Sequence, residues 1–79
     1  MGHARPRPKL LASKLLTIRQ GLGLSQPRIA KHLGIREYTN VSKWERDINE
    51  PPLMIVLAYA RLAEIPAEYL IDDALDLPL

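Results

Sequence analysis

The sequence predicts an all-α domain of five short helices, and three observations carry that prediction. Apolar residues recur at spacings of three and four, strand-like alternation is almost absent, and Gly or Pro separates one periodic segment from the next. At 79 residues the chain is one small domain near the lower limit for a single core, so most large apolar side chains have to be buried.

Helix one follows Pro8, a residue suited to a first helical turn. Leu11, Leu15, Ile18 and Leu22 form one stripe along it, and the Gly-Leu-Gly of residues 21–23 ends it. Ser25 opens helix two as an N-cap whose hydroxyl can accept a backbone N–H, and Pro27 is tolerated in that first turn. Gly34 closes helix two after Leu33, because it takes positive φ without strain. A third helix covers residues 38–46, and a fourth covers residues 53–63 after Pro51 and Pro52. A short fifth follows Pro66 through Leu70. This divides the chain into a basic N-terminal arm (1–8), a helical domain (9–71) and a C-terminal tail (72–79).

Composition narrows the function. Cysteine is absent, which excludes a disulfide framework and any thiolate zinc site and fits a reducing compartment. No apolar run approaches the roughly 20 residues of a membrane span, and "MGHARPRPK" offers no signal-peptide core. The expectation is a soluble cytoplasmic protein with no membrane contact. The net charge of +2 hides an asymmetry. Residues 1–46 hold ten Lys or Arg against Glu37 and Glu45, a net +8, whereas residues 47–79 hold Arg61 against seven acids, a net −6. The first half therefore suits a polyanion, and the second faces away from it or towards protein.

The stretch "LSQPRIAKHLGIREYTNVSKWERD" unites these features. Ala30 lies mid-helix, Gly34 sits at the corner, and Val41 and Trp44 put an apolar face on the next helix. Two helices so closely joined need a small residue at their crossing, which makes residues 25–46 a helix-turn-helix pattern. The second helix leaves Tyr38, Thr39, Asn40 and Lys43 pointing off the core, polar and aromatic groups suited to a major groove.

Taken in order, Arg19, Gly23 to Gln26, Ile29-Ala30, Leu33-Gly34, Val41 to Glu45, Pro51-Pro52 and Leu62-Ala63 resemble the phage-repressor and Cro-type (XRE-like) helix-turn-helix family. The resemblance covers residues 11–71. It implies a five-helix, lambda-repressor-like domain that regulates transcription, as a repressor, by binding a near-palindromic operator in double-stranded DNA as a dimer. Helix three would lie in the major groove. The family's DNA-facing positions fall on Gln26, Tyr38, Thr39, Lys43, Arg46 and Asn49, and Arg28, Arg36 and Asn40 complete the candidate set. Gln26 would bond a phosphate, Lys43 a guanine edge, and Thr39 a thymine methyl or base amine, while Tyr38 would reach sugar or phosphate. Arg19 and Glu45 match a pair that ties helix one to the end of helix three, a structural role.

Three departures from the family pattern stand out. The turn "GIREY" is one residue longer than usual around Arg36, which can shift the reading register by one and leaves Glu37 or Thr39 as N-cap of helix three. Asp47 stands where the family often has Gly, and Glu64 occupies the position of a helix-ending Gly.

Other chemistry is thin. His3 and His32 are too far apart in sequence to suggest a metal pair, and Asp72, Asp73 and Asp76 lack the pattern of a calcium loop. No serine has a paired base, and no phosphate loop appears. No enzyme activity, metal or cofactor is expected. Besides a DNA-binding regulator, two function classes stay open: an antitoxin-type protein-interaction partner, and an accessory domain of a longer protein. Met54, Ile55 and Ala58, with Leu70, Ile71, Leu75, Leu77 and Leu79 of the tail, exceed what one small core should cover. They predict a homodimer interface over Met54, Ala58 and the 70–79 tail.

Overall fold

The computed structural model describes residues 7–78. Most of the basic arm, including His3, and the last residue of the tail, Leu79, lie outside them. The described chain is all-α: α1 (Leu11–Gly21), α2 (Gln26–Leu33), α3 (Thr39–Glu45), α4 (Leu53–Ala63) and α5 (Glu68–Ile71).

The long helix α1 is the hub. It packs on α3, α4 and α5, while α2 packs on α3 and α4. Leu11, Leu15 and Ile18 of its stripe join Ile29, Ala30, Leu33, Val41, Trp44, Val56, Tyr59, Ala60 and Leu70 in one core. Leu22 does not join them. It is 40% exposed, because the helix ends at Gly21 and the stripe's next position falls in the turn. Pro8 does not enter α1 either. The backbone N–H groups of Lys9 and Leu10 donate to the Asp73 carboxylate at 2.8 and 3.0 Å, which holds this segment outside the helix.

Four helices end alike. After each, a residue at positive φ turns the chain, and its N–H and that of the next residue donate back to two carbonyls of the last turn, the Schellman arrangement. The turning residues are Gly23, Gly34, Asp47 and Glu64, and the residues after them are Leu24, Ile35, Ile48 and Ile65. Gly takes this conformation freely. Asp47 and Glu64, both at φ 58°, adopt it at a cost of roughly 1 kcal/mol each.

Helix starts are less uniform. Ser25 caps α2, its hydroxyl accepting the Arg28 N–H at 3.2 Å. At α3 neither Glu37 nor Thr39 is the N-cap: Tyr38 holds that position with helical backbone angles and no side-chain cap. A tight turn takes over, in which Asn40 N–H donates to the Glu37 carbonyl and Val41 N–H to that of Tyr38. Helix α5 is a single turn that starts at Glu68, entered through a tighter turn that begins at Pro66.

The tail is tied to its own domain. Lys14 is only 5% exposed, and its Nζ donates to the carbonyls of Tyr69, Asp72 and Leu75 at 2.8, 3.0 and 2.7 Å. The three acceptors belong to the end of α5 and the turn beyond it, where unpaired carbonyls gather and a cation is favoured. Leu70 is completely buried and Leu77 packs against the core. This corrects the expectation that Leu70 serves a second copy. Leu70 has no surface to offer, because folding back covers it.

Candidate nucleic-acid interface

The helix-turn-helix comprises α2, a five-residue turn from Gly34 to Tyr38, and α3. Ala30 is buried in the angle between the two helices, where its small side chain admits the close approach. Ile35 reaches back, its N–H donating to the Ala30 carbonyl at 3.0 Å. Val41 and Trp44 turn into the core and fix the roll of α3. Thr39, Lys43 and Arg46, at helical spacings of four and three, consequently lie along its solvent side, all three exposed.

The remaining candidates distribute around this ridge. Tyr38 is 48% exposed at the head of α3, so its ring is not folded under the turn. Arg28 on α2, Arg36 in the turn and Asn49 beyond α3 are exposed, and Asn40 is half-buried. Arg46 folds along its own helix, Nε donating to the Ser42 hydroxyl at 3.1 Å and to the Ser42 carbonyl at 3.3 Å. Exposed acids on this segment are few. Glu37 is exposed in the turn, whereas Glu45 is drawn inward.

Glu45 anchors the frame. Arg19 Nε donates to its Oε2 at 2.6 Å and Arg19 Nη2 to its Oε1 at 3.0 Å, a bidentate pair whose side chains are 15% and 6% exposed. The remaining Arg19 amino group donates to the Leu24 carbonyl at 3.0 Å, so one guanidinium ties α1, the start of the helix-turn-helix and the end of α3. The hydrogen bond to Glu45 holds the Arg19 pKa above its ordinary value, and burial opposes it. Nearby, burial raises the Tyr59 pKa well above the usual phenol value, and Glu45 adds to the rise. The Tyr59 hydroxyl has no hydrogen-bond partner among the described residues.

Gln26 belongs to this network. Its Nε2 donates to Glu45 Oε1 at 3.0 Å, so the side chain for which the family resemblance implies a phosphate contact is oriented by the same carboxylate that holds Arg19. Two residues that shape the region were not singled out by sequence reasoning. Lys14 fastens the tail, and Arg7 pairs with Asp47 at 2.9 Å just past the end of α3. Nothing local in the sequence marks either contact, since the partners lie at least 40 residues away.

Among the described residues no group of His, Cys, Asp and Glu could hold a metal ion, and no helix is long and apolar enough to cross a membrane. Neither a family model nor a curated protein sequence matches the chain. Solved structures do. The chain is similar to the P22 c2 repressor in complex with a synthetic operator, with a TM-score of 0.73 and 25% identity over 82% of this chain and 97% of that one. The P22 c2 repressor DNA-binding domain in solution gives a TM-score of 0.73 and 23% identity over 94% of this chain and 96% of that one. HipB, from its complex with an O2 20mer, gives a TM-score of 0.59 and 23% identity over 84% and 90%. The five helices thus have the fold of the repressor-type helix-turn-helix DNA-binding domains.

Proposed function

We propose that this chain binds double-stranded DNA sequence-specifically, as a transcriptional regulator of the repressor type. The observation that carries the reading is the ridge of Thr39, Lys43 and Arg46 on a helix rolled into place by Val41 and Trp44. It stands on the fold that the P22 c2 repressor presents to its operator. Lys43 is the base-reading side chain and Thr39 its neighbour one turn earlier; Tyr38, Arg28, Arg36, Arg46 and Asn49 supply sugar and phosphate contacts. Gln26, with one amide N–H on Glu45, has a second N–H to give to a phosphate.

The assembly we propose is a homodimer on a near-palindromic site. Its interface uses α4 rather than the buried Leu70. Met54 is 67% exposed, and with Ala58, Leu57, Leu62, Arg61 and His32 it lines an open groove between α4 and the end of α2. Two copies related by a two-fold axis would place recognition helices about 34–36 Å apart, one turn of DNA.

Selection of bound sequences from a random duplex pool tests the reading. A motif should enrich, and its affinity should fall with salt at a slope of roughly −0.9 per phosphate neutralised. In the enriched site, Lys43→Ala should relax base preference, whereas Gln26→Ala should weaken all sequences alike. Relaxation by Arg36→Ala in place of Lys43→Ala would mean that the longer turn moves the register by one. A pool that enriches nothing overturns the function.

A further inference from the structure

The end of α3 is electrostatically awkward for a DNA-binding surface. The helix's last carbonyls point there, and Asp47 and Glu50 follow within five residues, interleaved with Arg46 and Asn49. Arg46 and Asn49 are exposed, as is Asp47, whose carboxylate would face the same phosphates that they would meet. An uncompensated carboxylate at that place repels the backbone it is meant to sit against.

Arg7 sits against this group. Its Nη2 lies 2.9 Å from Asp47 Oδ1 and its Nε 4.0 Å from Glu50 Oε2, and the three side chains line one groove with Trp44 and Asn49. The guanidinium does not arrive there by chance contact of a loose strand. Pro8 restricts the backbone next to it, and the N–H groups of Lys9 and Leu10 are clipped to Asp73 at 2.8 and 3.0 Å. The tail thus sets where the segment enters, and the segment sets Arg7 on Asp47.

We infer that Arg7 is a positioning residue for DNA binding: it cancels the Asp47 carboxylate at the end of the recognition helix so that Arg46 and Asn49 can approach phosphate. The inference rests on the DNA-binding reading above and adds a residue and a role that this reading lacks. Arg7 acts through Asp47, not by touching DNA, and this separates it from an ordinary phosphate-contacting arginine.

The test is a double-mutant cycle on the full chain, read as affinity for a selected duplex. Arg7→Ala should weaken binding roughly fivefold, the size of one unit charge acting at about 4 Å through water. In an Asp47→Asn background the same substitution should cost under about twofold, because the charge that Arg7 cancels is gone. Asn accepts the left-handed conformation of position 47, so the helix end survives the change. Arg7→Lys should recover most of the binding by restoring the charge. Thermal midpoints should stay close together, since an exposed pair contributes little to stability. An equal loss in both backgrounds, or no loss on Arg7→Ala, overturns the inference while DNA binding stands. Absence of duplex binding by the unaltered chain overturns the DNA-binding reading and this inference with it.

Discussion

Lys14 and Arg19 lie five residues apart on the same helix, and both are drawn out of solvent, yet they are satisfied by opposite means. Arg19 meets a side chain: the Glu45 carboxylate receives two of its N–H groups in a planar, bidentate match. Lys14 meets the main chain, its ammonium donating to three carbonyls of the α5 end and the turn after it. The first arrangement joins two regular helices and holds the end of α3 against α1. The second is bonded to carbonyl dipoles rather than to a paired carboxylate, with the Asp73 charge acting only from a distance, and it fastens an irregular segment. Buried cations in one small domain thus do two jobs, orientation and fastening, and the partner's chemistry follows the job.

The comparison can be broken most forcefully at Glu45. Glu45→Ala leaves the Arg19 guanidinium half-buried with only the Leu24 carbonyl, and should destabilise the fold by about 3 kcal/mol in chemical denaturation. The Arg19→Ala, Glu45→Ala double variant should cost less than the sum of the two single changes, as expected for partners in direct contact. Strict additivity would show that the pair is not coupled.

Lys14 gives the next largest effect. Lys14→Met keeps the aliphatic stem but removes three charge-assisted bonds, and since none of Tyr69, Asp72 and Leu75 is fully buried, water should recover part of what their carbonyls lose. A loss of about 2 kcal/mol follows, less than three such bonds would sum to. Amide exchange should quicken at residues 70–75, while α2 and α3 keep their protection. Lys14→Arg should not rescue, because a flat fork cannot serve three converging carbonyls as an ammonium does.

Glu64 sharpens the contrast from the opposite direction, since here the backbone is satisfied at the expense of the residue that turns it. Glu64→Gly should raise stability by about 1 kcal/mol through relief of the left-handed conformation, with no change along the exposed side of α3. The corresponding Asp47→Gly should gain less, because it also gives up the Arg7 pair.

The smallest effect concerns pH. Asp73 accepts two backbone N–H groups, from Lys9 and Leu10, which hold its carboxyl below the ordinary range, with Lys14 and Lys9 adding to the shift. A pKa lowered in the folded state contributes stability that is present at neutral pH. It is lost as the pH falls below the ordinary carboxylate value and through the lowered one. Asp73→Asn should therefore flatten the acid limb of the stability curve and leave the shape of the alkaline side unchanged. An unaltered acid limb would mean that the tail's clip on residues 9 and 10 contributes nothing.

The same distinction explains what is legible in the sequence. The five helices can be read because their signals are local: Ser25 and Gly34 bracket α2, Pro52 precedes α4, and Val41 with Trp44 reveals the inward face of α3. The Arg19 and Glu45 pair can be read because both partners are side chains carried by a recognisable pattern. Three kinds of feature escape. The start of α3 escapes because Tyr38 begins it through a turn that needs no capping side chain. Leu22 escapes because periodicity does not say on which residue a helix stops. The Lys14 anchorage escapes because its acceptors are carbonyls, which every residue possesses, so no residue type betrays them. Leu70 and Leu77 consequently read as surplus to the core, although the chain held by the backbone contacts of Lys14 and Asp73 lays them on it.

Helix α3, the reading element under the proposed function, is seven residues long. At a rise of 1.5 Å per residue it extends about 10 Å, the height of roughly three base-pair steps in a duplex. A word of three letters recurs by chance every few dozen positions, far too often to single out one address among the very large number of competing sites in a genome. A helix this short therefore carries only a syllable. Under the proposed function the rest of the message has to come from repetition, through a second copy reading a second syllable one turn away, and from how readily the intervening base pairs bend or narrow to bring the two into step.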